Sequence, residues 1–534
     1  MCSNKPTHFK NILDKLDKSD HESNLTINLN HIPKQCGKNA DPLYQDFRFG
    51  TICDPYEEFL KRGISKEDLI EWKREIPIIY PWDPEYDLLR QNVNRRFTIF
   101  PWAIVMCKKE KHALIAFNKC QEYNIPLCIR GGAHCYEPYS LCDGIVIDQS
   151  RRIKVEVNEK EQTVTIEPGC LNGPTADILS KYKLVLPAGT CANVGIVGLT
   201  LGGGKGFLAR KYGLTCDNLK KLDMITAKGE TITVNKKTHP ELFWAHQGGG
   251  GNNFGIVTSL TYKVHPIEKV IVFELWWNVD NMYEVMSKWL EWGPTSDHNL
   301  TTELDIYALN ENNKNPYPIL ITGLYLGTSK TKLKKILEPL LKLNPQDIKI
   351  SKTDYLDSAR HFTYSKFPAP FFKNKSTYII KQLPKEVIPV IKKYMKKAGP
   401  NDRLEFNGLG GAYDDVEADE TAYPHRKALA WLQFICRWGS NVDNHLDDCD
   451  TGTAAWEDYL MGPIKLKWVK EFYDEFKEVA GKSLSGAYVN CPDSDLKKWP
   501  RAYYGENLEK LIKIKKKWDR KKIFSFPQGL SQLY

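Results

Sequence analysis

Residues 187–206 read PAGTCANVGIVGLTLGGGKG. A cysteine lies among small residues, then comes Val-Gly-Ile-Val-Gly, then a run of three glycines. Glycine is costly inside helices and strands, so such a stretch belongs where backbone passes close to something flat or charged. A nucleotide phosphate is the first possibility to test. The P-loop needs Gly-x-x-x-x-Gly-Lys-Ser/Thr. Here Leu199 stands at the first glycine position and Gly206 follows Lys205. The dinucleotide fingerprint Gly-x-Gly-x-x-Gly fails as well, because Gly202 and Gly204 are followed by Phe207. The stretch is a close-approach turn with neither phosphate signature.

Working outward, residues 126–148 read PLCIRGGAHCYEPYSLCDGIVID, an apolar strand ending in Arg130-Gly131-Gly132-Ala133-His134-Cys135-Tyr136-Glu137. Together the two stretches resemble the berberine bridge enzyme-like flavoproteins, in the superfamily of vanillyl-alcohol oxidase with its PCMH-type FAD-binding domain. The resemblance implies FAD bound covalently twice, through His134 at the flavin 8α carbon and Cys191 at C6. An imidazole suits attack at the 8α carbon and a thiolate suits addition at C6. The chain departs from the pattern at Ala133, where glycine is usual, and at Cys135, where serine is usual. Both attaching atoms remain.

The same resemblance implies the rest of the flavin site. Arg130, Gly131, Gly132, Ala133 and Cys135 surround the histidine. Gly189, Thr190, Val194, Gly195 and Gly198 surround the cysteine, followed by Gly203, Gly204 and Gly206. Asn218 belongs to the set, as do Gly255, Ile256 and Val257, read as a strand edge near the adenosine half. Gln247 stands where the family has arginine.

The implied fold is α+β: a PCMH-type FAD-binding domain of two α+β subdomains, and a substrate domain on an antiparallel sheet covered by helices. The patterning agrees. Residues 102–107, 109–123 and 126–129 read as strand, helix and strand, a βαβ unit. Residues 145–148 and 163–167 add strands, 175–181 read as a helix, and 224–226 with 231–234 as a hairpin. From about residue 267 strand-like runs alternate with amphipathic helices. Residues 409–426 and 485–490 again match family motifs, and 504–528 match the family's closing helix and tail. We therefore expect a polar extension at 1–60, flavin-domain segments at 61–265 and 483–534, and a substrate domain at 266–482.

Tyr488, in the motif Tyr-x-Asn with Asn490, is the expected base near the flavin. A free phenol has a pKa of about 10, so it must be lowered or act in concert with C–H cleavage. Asn490 is expected on the same face of a strand. Gln433, on the strand at 431–438, is a second candidate on the substrate side. The resulting expectation is an FAD-dependent oxidase or dehydrogenase acting on a CH–OH donor, a carbohydrate or alcohol, with oxygen or another acceptor. The alternatives are an amine or alkaloid oxidase of the same family, or a flavin-binding protein without turnover. Trp276, Trp277, Trp289 and Trp292 suit sugar stacking, but tryptophans at helical spacing are more often core.

Composition excludes other classes. With 42% hydrophobic and 26% charged residues, the 534-residue chain is globular. The net charge of +9 lies in lysine-rich runs that alternate with apolar residues, which is the pattern of solvated helix faces. No nucleic-acid module accompanies them, so no nucleic-acid partner is expected. No apolar run approaches the ~18 residues of a membrane span. The first twenty residues lack an apolar signal core, so an intracellular location is the expectation. The 14 cysteines show no C-x-x-C and no zinc-like spacing, so no metal is expected. Asn24, Asn299 and Asn374 begin glycosylation sequons.

Overall fold

The computed structural model describes residues 55–313, 315–363, 371–439 and 451–534. It begins with α1 (Pro55–Leu60) and α2 (Lys66–Glu75). α2 starts at a capping box in which Ser65 and Asp68 each accept the other's backbone N–H. Phe59 of α1 is fully buried, with edge-on contacts to Trp72, Tyr80 and Trp102 at centroid distances of 6.3, 6.1 and 5.7 Å. Residues 55–60, expected in the extension, are therefore part of a core. Their one fully buried side chain, Phe59, sits in the charged text PYEEFLKR, which hid it. The remainder of the expected extension lies outside the described residues.

The βαβ unit forms the first sheet. β1 (Ile78–Ile79), β2 (Ala103–Met106), β3 (Leu127–Arg130) and β4 (Ile145–Asp148) pair in the order β1-β2-β4-β3, with β2 and β3 parallel to β4. Helix α3 (Glu110–Glu122) joins β2 to β3. The continuous apolar text of β2 and β4 suits strands buried on both faces.

The second sheet is antiparallel: β5 (Val155–Asn158), β6 (Thr163–Ile166), β7 (Leu219–Ile225), β8 (Thr231–Asn235) and β9 (Ile256–Lys263), in the order β5-β6-β9-β7-β8. Helices α4 (Asn172–Ser180) and α5 (Ile196–Leu201) lie between β6 and β7 in sequence. The hairpin β7–β8 forms as expected, with Gly229 at φ +78° in its turn. β9 is not an edge. It lies between β6 and β7, and a Cβ on Gly255 would meet the Ile225 carbonyl at 2.5 Å.

The third sheet has eight antiparallel strands. They are β10 (Lys269–Trp277), β11 (Leu300–Tyr307), β12 (Ile319–Tyr325), β13 (Asp347–Asp354), β14 (Phe371–Ile379), β15 (Arg403–Gly408), β16 (Ala430–Trp438) and β17 (Leu484–Ser485). Their order is β13-β10-β12-β11-β15-β16-β14-β17. One apolar cluster fills the face toward the helices, including Trp277, Trp289 of helix α6 (Met282–Trp292), and Phe472 and Phe476 of the long helix α7 (Thr451–Ala480). Trp277 and Trp289 are thus core residues. Asn374 is 2% exposed within β14, which closes its sequon to a glycan on the folded chain.

After β17 the chain returns to the first two sheets. In α8 (Leu508–Trp518), Lys515 is buried, pairs with Asp519 at 2.6 Å, and donates to the carbonyls of Asn253 and Phe524. The ten described cysteines are all free thiols. Among the described residues no helix is long and apolar enough to cross a membrane.

If α1 belongs to the core, Phe59→Ala should cost about 3–5 kcal/mol, as aromatic truncation in a packed core does. Chemical denaturation reads this, and an unchanged midpoint would place α1 outside the cooperative unit.

Candidate active site

Two turns meet backbone to backbone. β3 ends at Arg130, whose guanidinium is buried against Asp148 and the Leu89 carbonyl. The chain then turns through Gly131, Gly132 and Ala133 into His134. A Cβ on Gly132 would lie 2.6 Å from the Gly195 nitrogen, so glycine is required at this contact. Ala133 has φ +52°, a left-handed conformation that costs an alanine roughly 1–2 kcal/mol. That is the physical reason the family favours glycine there.

The Cys191 turn is held from below by α4. Asn172 donates its side-chain N–H to the Cys191 carbonyl at 2.9 Å, and the Gly173 N–H donates to Ala192 at 2.8 Å. Burial pushes the Cys191 thiol above its ordinary pKa, and the Arg437 guanidinium works the other way. Burial pushes the His134 imidazole down to about 4, so the ring is neutral near pH 7. A neutral ring keeps the lone pair that a nucleophile needs.

Tyr488 stands between these turns and the eight-stranded sheet. Its phenol oxygen accepts from the Gly204 N–H at 2.9 Å and from Asn490 Nδ2 at 3.0 Å. Asn490 also donates to the Leu199 carbonyl at 2.8 Å. Asn490 lies in a turn rather than on a strand, and it reaches the phenol because that turn folds back. Trp431 packs edge-on against the ring at 5.0 Å. Burial pushes the phenol pKa up, while the Gly204 and Asn490 hydrogen bonds pull it down. The net upward direction is opposite to a tyrosine with a lowered pKa.

The three glycines that opened the sequence argument make room for protein. A Cβ on Gly202 would strike Asn490, one on Gly203 (φ +120°) would strike Tyr423, and one on Gly204 (φ +85°) would strike Thr215. Gly206 is pressed on the Ala188 carbonyl. Of the expected flavin contacts, Gly203, Gly204 and Gly206 therefore stand behind the cavity. Arg130 is spent on Asp148. Asn218 donates to the Tyr212 and Leu214 carbonyls and bonds His265, and Ile256 is core. Gln247, in the arginine position, donates to the Cys216 carbonyl.

The others converge. A cavity of about 600 Å³ is lined by Gly131, Gly132, Ala133, His134 and Cys135, and by Gly189, Thr190, Cys191, Val194, Gly195 and Gly198. Gly255, Val257, Tyr488, Asn490 and Gln433 complete the expected set. Gly198 and Gly251 line it too, and a Cβ on either would meet no protein atom within 4 Å. Bare backbone along one wall, a neutral imidazole and a thiol in the lining, and open space over Gly198 and Gly251 fit a flavin dinucleotide.

On the opposite wall, sequence reading singles out Gln433 and misses its polar neighbours. Alternate residues of β11, β15 and β16 face the cavity: Glu303, Asp305 and Tyr307; Arg403, Glu405 and Asn407; Trp431, Gln433 and Arg437. Glu303, Asp305, Arg403, Glu405, Asn407 and Gln433 form one network with Lys205. Arg403 pairs with Asp305 at 3.2 Å and Glu405 at 2.6 Å, Gln433 donates to Glu405 at 2.8 Å, and Lys205 reaches Glu303 and Asn407. Burial pushes the Glu303 and Asp305 carboxyls up. Burial opposes the Glu405 charge too, but Arg403 outweighs it and holds that carboxyl down. Trp276 stacks on Tyr307 at 6.1 Å along the same wall. The available signal was polar residues at every second position of apolar strands, a pattern that ordinarily marks the solvent side.

The sequence profile of the FAD binding domain matches residues 101–235, and that described as berberine and berberine like matches 487–531. The FAD-linked oxidoreductase YgaK of Bacillus subtilis is 37% identical over 460 residues, spanning 84% of this chain and 96% of that protein. The chain belongs to the berberine bridge enzyme-like family of FAD-linked oxidoreductases. Solved structures agree: BBE-like 1 of Physcomitrella patens superposes with a TM-score of 0.72 at 25% identity, covering 85% of this chain and 96% of that one. Phl p 4, a grass pollen allergen with glucose dehydrogenase activity, gives 0.74 at 25% identity, over 85% and 96%.

The Cys191 environment yields a direct expectation. Arg437→Met removes a cation that favours the thiolate, so the thiol pKa should rise. In flavin-free protein, the pH midpoint for iodoacetamide labelling of the Cys191 peptide should move upward. A downward shift, or none, would remove Arg437 from the account.

Proposed function

We propose that the protein oxidises a CH–OH group of a carbohydrate or alcohol, with FAD held covalently by His134 and Cys191 and Tyr488 taking the hydroxyl proton. FAD, when bound, supplies the two-electron acceptor for the cleaved C–H bond. The observation that carries the reading is the pair of N–H donors on the Tyr488 oxygen, at the junction of the two turns and the polar wall.

Each group of the chain has a part in this reading. His134 and Cys191 would hold the cofactor from two separate loops, giving it two points of attachment. Tyr488 must accept a proton even though burial disfavours its anion. Gly204 and Asn490 answer this, because hydrogen bonds to an oxygen strengthen as it becomes negative. The accepting form is the phenolate: Tyr488 first releases its own proton to solvent, with the Gly204 and Asn490 donors holding the anion, and then takes the substrate hydroxyl proton as the C–H bond breaks. The wall of Lys205, Glu303, Asp305, Arg403, Glu405 and Asn407 is internally paired, so it offers donors and acceptors at short intervals with little net charge. A hydroxyl-rich molecule matches such a surface, and the Trp276–Tyr307 stack adds an apolar face of the kind that sugar rings pack on. The glucose dehydrogenase activity printed for Phl p 4 supports the same substrate class. Dioxygen or another acceptor completes the cycle. We assign 61–265 and 483–534 to the flavin domain, with 55–60 added to it, and 266–482 to the substrate domain.

The test begins with acid precipitation. The pellet should stay yellow, its mass should rise by one FAD, and flavin-bearing peptides should contain His134 and Cys191. A colourless pellet would end the covalent reading. Anaerobic mixing with a panel of sugars and alcohols should then bleach the flavin, and no bleaching by any member would favour a binding protein without turnover.

Tyr488→Phe keeps the ring and removes its hydroxyl. Flavin reduction should slow by ~10²–10⁴-fold, the usual cost of losing a general base, with substrate affinity changed much less. Anaerobic stopped-flow measures both. A parental rate would move the base elsewhere, first to the Gln433–Glu405 pair.

A further inference from the structure

The loop that carries His134 and the loop that carries Tyr488 are far apart in sequence, yet one lysine joins them. Lys373, on β14, is 2% exposed. Its ammonium lies 2.6 Å from Glu137, three residues after His134, and 2.7 Å from Asp493, five residues after Tyr488. Both carboxylates are buried, at 1% and 5% exposure. Lys373 also donates to Ser494 Oγ at 3.1 Å. Burial disfavours its charge, but Glu137 and Asp493 outweigh burial and hold the ammonium above its ordinary pKa. Burial likewise opposes the charge on Asp493, and Lys373 and Lys375 hold it ionised below its ordinary range.

The contacts around this ammonium all tie the same three segments. Arg96 donates to the other oxygen of Glu137 at 3.2 Å, and the Ser494 N–H donates to the oxygen that Lys373 holds. Asn94 bridges the Tyr136 carbonyl and the Phe372 backbone of β14. The Tyr488 N–H donates to Ser376 of the same strand at 3.2 Å. Lys375, the neighbouring ammonium, reaches Asp493 at 2.7 Å and Asp495 at 3.2 Å, but no contact is recorded between it and Glu137. Lys373 is thus the cation shared by the two loops, whereas Lys375 serves one. The Cys191 turn has its own support, from Asn172 and Gly173, and takes no part in the cluster.

We propose that Lys373 is a positioning residue: by clamping Glu137 to Asp493 it sets the His134 loop against the Tyr488 loop, and so governs attachment at His134 but not at Cys191. This rests on the covalent reading given above for its attachment arm only. Attachment at His134 replaces one C–H bond of the flavin methyl carbon and one imidazole N–H by an N–C bond. The two protons and two electrons released go to dioxygen as hydrogen peroxide.

The experiment compares parental holoprotein with Lys373→Met, Lys375→Met and Glu137→Gln. Lys373→Met should speed amide hydrogen exchange in 131–137 and 488–495 and leave 189–192, the part of the Cys191 turn held by Asn172 and Gly173 and remote from the Gly132 contact, as in the parent. Lys375→Met removes the same charge from the same cluster and should leave 131–137 protected. This arm decides the clamp whether or not the flavin is covalent. In the second arm, flavin-peptide mapping after reconstitution should show His134 attachment in Lys373→Met slowed by up to ~10²-fold, the cost of an ångström of misplacement in an oriented reaction. Cys191 attachment should proceed at the parental rate. Should Lys373→Met not fold, Glu137→Gln keeps the side-chain shape and should give the same pattern at smaller amplitude. Equal protection in Lys373→Met and parent would overturn the clamp, as would loss of protection at 131–137 in Lys375→Met to the same degree. Loss of both attachments together would mark a general folding defect and overturn the specific claim. A parent without covalent flavin would overturn the attachment reading and leave the exchange arm to judge the clamp.

Discussion

The active-site architecture depends on the contact between Gly132 and Gly195. No side chain can stand between these backbones, because a Cβ on either would lie within 3 Å of the other loop. That exclusion brings a turn at the end of a parallel strand against a turn at the start of α5. His134 and Cys191 thereby belong to one wall although they come from separate loops. Packing at this density leaves no slack to absorb a methyl group, so a one-atom change would have to move a loop. The strain accepted at Ala133 lies one residue from the contact and is held by it.

The third sheet solves a different problem. One face is an apolar core with fully buried tryptophans, and the other carries carboxylates, guanidiniums and amides against a cavity. Buried charges are expensive to leave alone, and the gain from pairing them only about offsets the loss of water. The network therefore adds little to stability. On the function proposed above, its value is in presenting fixed donors and acceptors that need no rearrangement when a polar molecule arrives, which is the basis of electrostatic preorganisation.

How much of this was legible in the sequence follows from distance along the chain. His134 and Cys191 could be read because each sits in a short run whose neighbours are constrained by the same turn. Tyr488 could be read with Asn490 for the same reason, although the turn that joins them was taken for a strand. Gly203, Gly204 and Gly206 are close-approach positions as read, but their neighbours are protein, since glycine looks the same whether a cofactor or Tyr423, Thr215 and the Ala188 carbonyl fills the space. The wall of Glu303, Arg403 and Glu405 was lost because alternation shows which residues share a face, not what that face meets. Lys373, Glu137 and Asp493 were beyond reach, since nothing local links three segments that meet only in the folded chain. Phe59 failed for the opposite reason, forming only a short apolar pair with Leu60 in a charged stretch.

The late position of Tyr488 has a consequence for how the protein is made. Synthesis runs from the N-terminus, and earlier segments begin to fold first. The residues proposed to hold the cofactor, with the two sheets that carry them, emerge well before the segment containing Tyr488, Asn490 and Asp493. A partly synthesised chain therefore carries His134 and Cys191 before Tyr488, with the Glu137 side of the cluster still open. If Tyr488 is the base proposed above, the order of residues along the polypeptide keeps that base from the growing molecule until the last segment arrives.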